Sequence, residues 1–140
     1  MKKIYLVTGC AGFIGFHVTK KLLEQDFYVL GIDNLNNYYS TKLKKKKLKD
    51  LKEFKKFNFF KVEMSNFTKL NNVLKKQKFD YIFNFAAQAG VRHSLKKPKD
   101  YLDSNIIGYF NLLEIIKLKK IKHLILASTS SIYGESKKKI

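Results

Sequence analysis

Three glycines spaced three apart, Gly9, Gly12 and Gly15, follow the apolar, β-branched run Ile4-Tyr5-Leu6-Val7-Thr8. They lead into a segment that carries Ile14, Val18 and Leu22 at helical spacing. The pattern prescribes a strand, a tight turn and a helix in immediate succession. Gly9 can take a positive φ at the turn. Gly12 has no Cβ to hold a diphosphate away from the backbone, and Gly15 lets the helix lie close to the strand. The amino end of the helix then offers unpaired N–H groups and a partial positive charge to an anion.

Glycines at this spacing also mark ordinary turns, so the context decides. A second apolar run, Phe27 to Ile32, ends on an acid, Asp33, eighteen residues beyond Gly15. A carboxylate there accepts both hydroxyls of an adenosine ribose and repels a 2′-phosphate, which argues for NAD over NADP.

The rest of the chain continues the alternation. Asn34 to Ser40 is a polar loop, and Thr41 to Lys56 reads as an exposed helix with Leu43, Leu48, Leu51 and Phe54 as its one buried stripe. Asn58 to Val62 is a strand, and Phe67 to Lys76 a helix resting on Leu70, Val73 and Leu74. A fourth strand spans Asp80 to Phe85, and Gln88 to Ser94 is a loop leading to Pro98. A long helix from Lys99 to Lys117 is expected to bury Leu102, Ile106, Phe110 and Leu113. Lys122 to Ala127 is the fifth strand, Ser128-Thr129-Ser130-Ser131 follows, and Glu135 to Ile140 carries no core pattern. Strands that alternate with helices predict a parallel sheet covered on both faces, and right-handed crossovers give the order 3-2-1-4-5. Ligands of such doubly wound α/β sheets lie beyond the carboxyl ends of the strands, between strands one and four. Gly9, Asp33, Ala86, Ala87 and Ser128 to Ser131 all fall at that edge.

At 140 residues the chain is one domain's worth. No uninterrupted apolar run is long enough to span a membrane. A strand begins almost at the first residue with no signal-peptide pattern, and Cys10 is the lone cysteine, so a cytoplasmic protein is expected. The formal charge of +18 invites a nucleic-acid reading, but Arg92 is the only arginine, and the fork that reads bases and phosphates is nearly missing. Lysines recur on the exposed side of every predicted helix, so a compositional bias toward lysine explains the charge better than specific nucleic-acid binding. His17, His93 and His123 lack metal-ligand spacing, and no metal is expected. Cys10 reads as a small space-filler in the glycine turn.

Four strings stand in order: Thr8-Gly9-Cys10-Ala11-Gly12-Phe13-Ile14-Gly15, Gly31-Ile32-Asp33-Asn34-Leu35-Asn36, Ala86-Ala87-Gln88-Ala89-Gly90-Val91-Arg92 and Ser128-Thr129-Ser130-Ser131-Ile132-Tyr133-Gly134. Together they resemble the extended short-chain dehydrogenase/reductase family, its NAD-dependent nucleotide-sugar epimerases and dehydratases, with the UDP-glucuronate 4-epimerase group most similar. The resemblance covers essentially all 140 residues and only the amino-terminal part of such an enzyme. It implies an incomplete Rossmann domain over residues 1–140, without the last strands and the sugar-binding domain. It places Gly9, Gly12, Phe13, Ile14 and Gly15 on the diphosphate and Asp33 and Asn34 on the adenosine ribose. Glu63 and Met64 would lie beside the adenine, Glu63 being one methylene longer than the family's aspartate. Ala86, Ala87 and Ser128 would flank the cofactor, and Asn105 resembles the helix asparagine on its side of the site. Gln88 and Arg92 would face a UDP-sugar, as would Thr129 and Ser130, with Thr129 matching the catalytic Ser/Thr.

The chemistry the resemblance implies is a transient 4-keto sugar: NAD takes the C4 hydride and returns it to the other face, while a tyrosine, its pKa lowered by a lysine, moves the proton. The Tyr-x-x-x-Lys pair is expected downstream of Tyr133, where the chain stops. Tyr38 with Lys42 has the spacing but follows strand two, on the adenosine side. Tyr133 is expected to pack at the end of its turn. Weak or no turnover is therefore expected from this chain alone. Two other readings stand beside the epimerase. A 4,6-dehydratase carries Thr-Asp-Glu where this chain has Thr129-Ser130-Ser131; a catalytically silent NAD-binding module needs no base at all. Full-length members are expected to form homodimers through helices on either side of the point where this chain ends, which leaves its own pairing open.

Overall fold

The structure, a computed structural model, describes residues 3–134. Five parallel strands, β1 (Ile4–Thr8), β2 (Tyr28–Asp33), β3 (Phe57–Lys61), β4 (Tyr81–Asn84) and β5 (His123–Leu126), form one sheet in the order β3-β2-β1-β4-β5. That is the predicted doubly wound order. Leu6 of β1 sits in register with Leu30 on one side and Ile82 on the other.

Side chains alternate across the pleat, and so the core divides in two. Leu6, Leu30, Ile32 and Ile82 face one layer, where α3 (Phe67–Leu74) supplies Leu70 and Leu74 and α6 (Gly108–Ile116) supplies Leu112, Ile115 and Ile116. Val7, Val29 and Phe57 face the other, against Phe16, Leu22 and Leu23 of α1 (Phe13–Glu24) and Leu48 and Leu51 of α2 (Thr41–Lys52). The helix starts are capped where the sequence supplies an oxygen. The Leu43 N–H donates to Ser40 Oγ at 3.3 Å, and the Lys69 N–H donates to Asn66 Oδ1 at 3.0 Å. None of the described helices is long and apolar enough to cross a membrane.

Four expectations are corrected. The second helix ends at Lys52 rather than Lys56, and its buried stripe is Lys44, Leu48 and Leu51, with Leu43 turned outward. Lys44 thus breaks the rule that the lysines lie on exposed helix sides. Part of the expected loop after β4 is a short helix, α4 (Val91–Lys96). The long helix is composite: α5 (Pro98–Tyr101), with proline at its first turn, runs through a π-helical stretch (Leu102–Ile107) into α6.

The buried face of that long helix is the fourth correction. Leu102, Ile106, Phe110 and Leu113 are 48%, 60%, 57% and 36% exposed, whereas Gly108, Asn111, Leu112, Ile115 and Ile116 face the core. The helix is apolar on two sides, so apolarity alone does not select the inner one. Its π-helical stretch also breaks the 3.6-residue phase. Asn111 goes inward because its amide donates to the carbonyl oxygens of Met64 (2.9 Å) and Ser65 (3.0 Å). Residues 135–140 lie outside the described residues.

Candidate functional site

The turn after β1 is built on close backbone approach. Gly9 has φ +68°, and a Cβ on it would lie 2.9 Å from Ala86 N, at the end of β4. A Cβ on Gly15 would overlap the Gly9 carbonyl oxygen, so α1 can meet the turn only through glycine. The Gly12 N–H donates to Gly9 O at 2.9 Å and closes the turn. Gly12 is also the N-cap of α1, and it brings no side chain to the orphan N–H groups of the first turn. Those groups and the positive end of a twelve-residue helix face a cleft of about 360 Å³.

Asp33 ends β2 at the floor of the same cleft. Its Oδ2 accepts the Ala11 N–H at 3.1 Å, and its Oδ1 accepts the Leu35 N–H at 2.8 Å. The carboxylate is thereby tied directly to the glycine turn. Lys44 reaches in from α2, placing its ammonium 3.7 Å from Asp33 Oδ1 and donating to Asn36 Oδ1 at 2.9 Å. Next to them the Asn34 amide donates to Glu63 Oε2 at 2.8 Å, and Met64 is buried against Gly108. Burial, and after it the nearby Asp33 charge, push the Cys10 thiol well above its ordinary pKa. Cys10 therefore fills space as a neutral thiol, as expected.

The opposite wall starts at β4. Thr8 Oγ1 donates to Asn84 Oδ1 at 2.6 Å and accepts the Ala86 N–H at 3.1 Å, which locks the end of β1 to the end of β4. Asn105, in the π-helical stretch, grips the Gln88 backbone from both sides: its Oδ1 accepts the Gln88 N–H at 2.8 Å, and its amide donates to Gln88 O at 3.0 Å. π-Helical turns recur at functional sites. Here the turn presents Ser104 to the cleft and Asn105 to the backbone that borders it.

Gly9, Gly12, Phe13, Ile14, Gly15, Asp33, Asn34, Glu63, Met64, Ala86, Ala87, Gln88 and Ser128 are brought together around this one cleft. Phe13 and Ile14 are largely exposed, and the Phe13 ring lies edge-on to His17 with the Lys47 ammonium over it. Three expected site residues stand apart from the cleft lining. Asn105 acts through the Gln88 backbone, and Arg92 is exposed in the first turn of α4. Thr129 caps the 3₁₀ turn Ser130–Tyr133, its hydroxyl accepting the Ser131 N–H at 3.2 Å. Ser130 begins that turn, and its side chain lies outside the described residues. Tyr133 does not pack at the end of the turn but is 68% exposed.

The sequence reading missed Asn36, Tyr38, Tyr39, Lys44 and Ser104, all of which line the cleft. Lys44 was hidden in the run Lys44 to Lys47. Its one signal is phase, since it stands four residues before Leu48 on the buried side of α2.

The residues fit a dinucleotide: an uncapped helix amino end, a backbone cradle with no Cβ to spare, and a buried carboxylate at the end of β2. Comparison with known proteins points the same way. The family model described as GDP-mannose 4,6 dehydratase matches residues 6–140. The chain is 47% identical over 130 residues to the UDP-glucuronate 4-epimerase of Thermodesulfobacterium geofontis, which covers 93% of this chain and 40% of that protein. It is 46% identical over 134 residues to Protein CapI of Staphylococcus aureus, covering 96% of this chain and 40% of the relative. Among solved structures, the UDP-glucuronic acid 4-epimerase of Bacillus cereus in complex with UDP-glucuronic acid and NAD superposes with a TM-score of 0.88 at 35% identity, covering 98% of this chain and 43% of that one. This chain therefore spans about two fifths of the length of the relatives it matches. With a family model matching from Leu6 onward and the doubly wound sheet order β3-β2-β1-β4-β5, the chain belongs to the NAD-dependent epimerase/dehydratase branch of the short-chain dehydrogenase/reductase family.

Proposed function

We propose that this chain binds NAD across the carboxyl edge of its sheet and forms the cofactor-holding part of a UDP-sugar 4-epimerase of the UDP-glucuronate type. One observation carries the reading: the Asp33 carboxylate and the uncapped first turn of α1 face a single cleft and are joined through the Ala11 N–H. In this arrangement Asp33, with Asn34 beside it, accepts the adenosine ribose hydroxyls. The N–H groups after Gly12 hold the diphosphate, and Ala86 and Ala87 border the nicotinamide half. When bound, the nicotinamide supplies a reversible acceptor for the hydride at C4 of the sugar. Asn105 fixes the Gln88 backbone, and this reading assigns Thr129, whose hydroxyl caps the turn at Ser130, to the sugar oxygen. Gln88, Arg92 and Ser130 complete the sugar-facing set.

Residues 1–140 are in this reading one NAD-binding domain, and the sugar-binding domain belongs to the part of the relatives' length that this chain does not span. Tyr38 and Tyr39 stand on the adenosine side of the cleft, away from the expected position of the tyrosine base. In this reading the exposed stripe Leu102, Ile106, Phe110 and Leu113 is the face that a second copy would cover.

Titration with NAD should quench the tyrosine emission in a saturable way, with NADP the weaker ligand. An unsaturable or absent response overturns the cofactor assignment.

A further inference from the structure

The loops after β2 and β4 touch each other above the cleft. The Tyr38 ring, from the β2 side, lies against the His93 ring at 4.8 Å between centroids and 57° between planes. His93 is fixed in turn from behind: its Nε2 is 3.1 Å from Asp100 Oδ2, and its ring meets that of Tyr101 at 6.1 Å. Tyr101 donates its hydroxyl to Ala89 O at 2.6 Å and also contacts Gly90 O. The Tyr38 hydroxyl rests on Gly90, where a Cβ would overlap it, and Gly90 has φ +97°. Glycine is required there both by the backbone and by the incoming tyrosine.

Topology gives this contact its meaning. β1 lies between β2 and β4 in the sheet, so a bridge from the β2 loop to the β4 loop passes over the end of β1. That end carries the glycine turn and the amino end of α1. The bridge therefore crosses the cleft over the stretch where the middle of a dinucleotide would lie. It consists of side chains on two surface segments, with no backbone pairing between them, and so it can part without disturbing the sheet.

We propose that Tyr38 and the His93–Tyr101 pair form a clasp that must open for NAD to enter or leave. The proposal rests on NAD occupying the cleft as described above. A clasp and a binding contact have different kinetic signatures. Loss of a contact raises the dissociation rate and leaves association nearly unchanged. Loss of a gate speeds passage in both directions and moves the equilibrium little.

The test is stopped-flow measurement of NAD association and of its dissociation in a chase, on the full chain and on Tyr38→Ala, His93→Ala and Tyr38→Phe. Both alanine variants should raise association and dissociation together, by about tenfold; in His93→Ala, whose side chain is not part of the cleft lining, Kd should change less than about threefold. Tyr38→Phe keeps the ring against His93 and should retain slow exchange. The two alanine changes sit on opposite lips, so agreement between them excludes a local folding defect, and thermal unfolding of each variant checks the point directly. A rise in dissociation alone, or unchanged rates in both alanine variants, overturns the clasp and leaves the NAD assignment standing. Failure of the unaltered chain to bind NAD overturns the assignment itself, and the clasp with it.

Discussion

The Lys44 ammonium lies 3.7 Å from the Asp33 carboxylate, and both side chains are buried. The acid that the proposed reading assigns to the ribose thus has its counter-charge supplied from a neighbouring helix. Two N–H donors hold it in place as well. A buried carboxylate with such partners is preorganised: it is neither free to rotate nor left as an isolated charge beneath the cleft.

Asp33→Asn should therefore weaken NAD binding by about 10–100-fold, the loss of charge-assisted hydrogen bonds of roughly 1.5–3 kcal/mol. It should also raise the NADP-to-NAD affinity ratio, since the repulsion of a 2′-phosphate is gone and the Lys44 ammonium remains. Lys44→Met leaves Asp33 without its cation. Stability should fall by about 2–3 kcal/mol, less than for a fully isolated pair because the two N–H bonds persist. Chemical denaturation and titration with both nucleotides check the pair. The double variant should recover part of the stability that Lys44→Met loses.

Asn105 makes its two bonds to the Gln88 backbone and is absent from the cleft lining. Asn105→Ala should cost about 1–3 kcal/mol, the range for leaving buried polar groups unpaired. It should also accelerate amide hydrogen exchange at Gln88 while leaving exchange in β1 and β2 unchanged. Unaltered protection at Gln88 would show that the loop is held by other contacts.

Cys10 yields a pH prediction. Its thiol is raised above the ordinary range by burial and by Asp33, so the folded state holds the proton more tightly than the unfolded chain does. The stability this contributes is fully present below the unfolded thiol's pKa, near 8.5, and is lost as pH climbs through the folded value. Stability should accordingly decline in alkali more steeply in the native chain than in Cys10→Ala. Alkylation of Cys10 should be slow until the chain is unfolded, and rapid alkylation at neutral pH in the folded state would contradict the assigned burial.

Much of this was legible in the sequence because it is local. The glycine turn, the acid at the end of β2 and the alternation of strands with helices are each set within a few residues, and they predict the sheet order and put Gly9, Asp33, Ala86, Ala87 and Ser128 at the cleft, whereas Glu63, Met64 and Gln88 came from the family resemblance. What escaped depends on phase and tertiary contact. Lys44 looks like any residue of a lysine run until α2 docks with that side inward. The π-helical stretch cannot be seen by a search for 3.6-residue periodicity, and it holds Leu102 and Ile106 of the expected inner face, just before the buried residues of α6 begin. Asn111 is inside because the carbonyls of Met64 and Ser65 need a donor, a demand that arises only after β3 and α6 have met. Tyr38 and His93 are 55 positions apart, and nothing short of the fold brings their rings together.

The outward stripe on the long helix sets the last prediction. Leu102, Ile106, Phe110 and Leu113 recur at spacings of four, four and three, and each is more than a third exposed. Such a row presents roughly a few hundred Å² of contiguous apolar surface, which is the size at which a patch calls for a partner. Two copies crossing there would interdigitate four side chains apiece, well short of the ~800 Å² per partner of a standard interface. Association through this face should therefore be weak and concentration-dependent in the chain alone. Sedimentation velocity should show a reversible monomer–dimer equilibrium that Ile106→Glu and Phe110→Glu abolish without lowering the thermal midpoint, because neither side chain contributes to the core. A monomer at every concentration, or a dimer indifferent to both charges, would remove the stripe as the contact face.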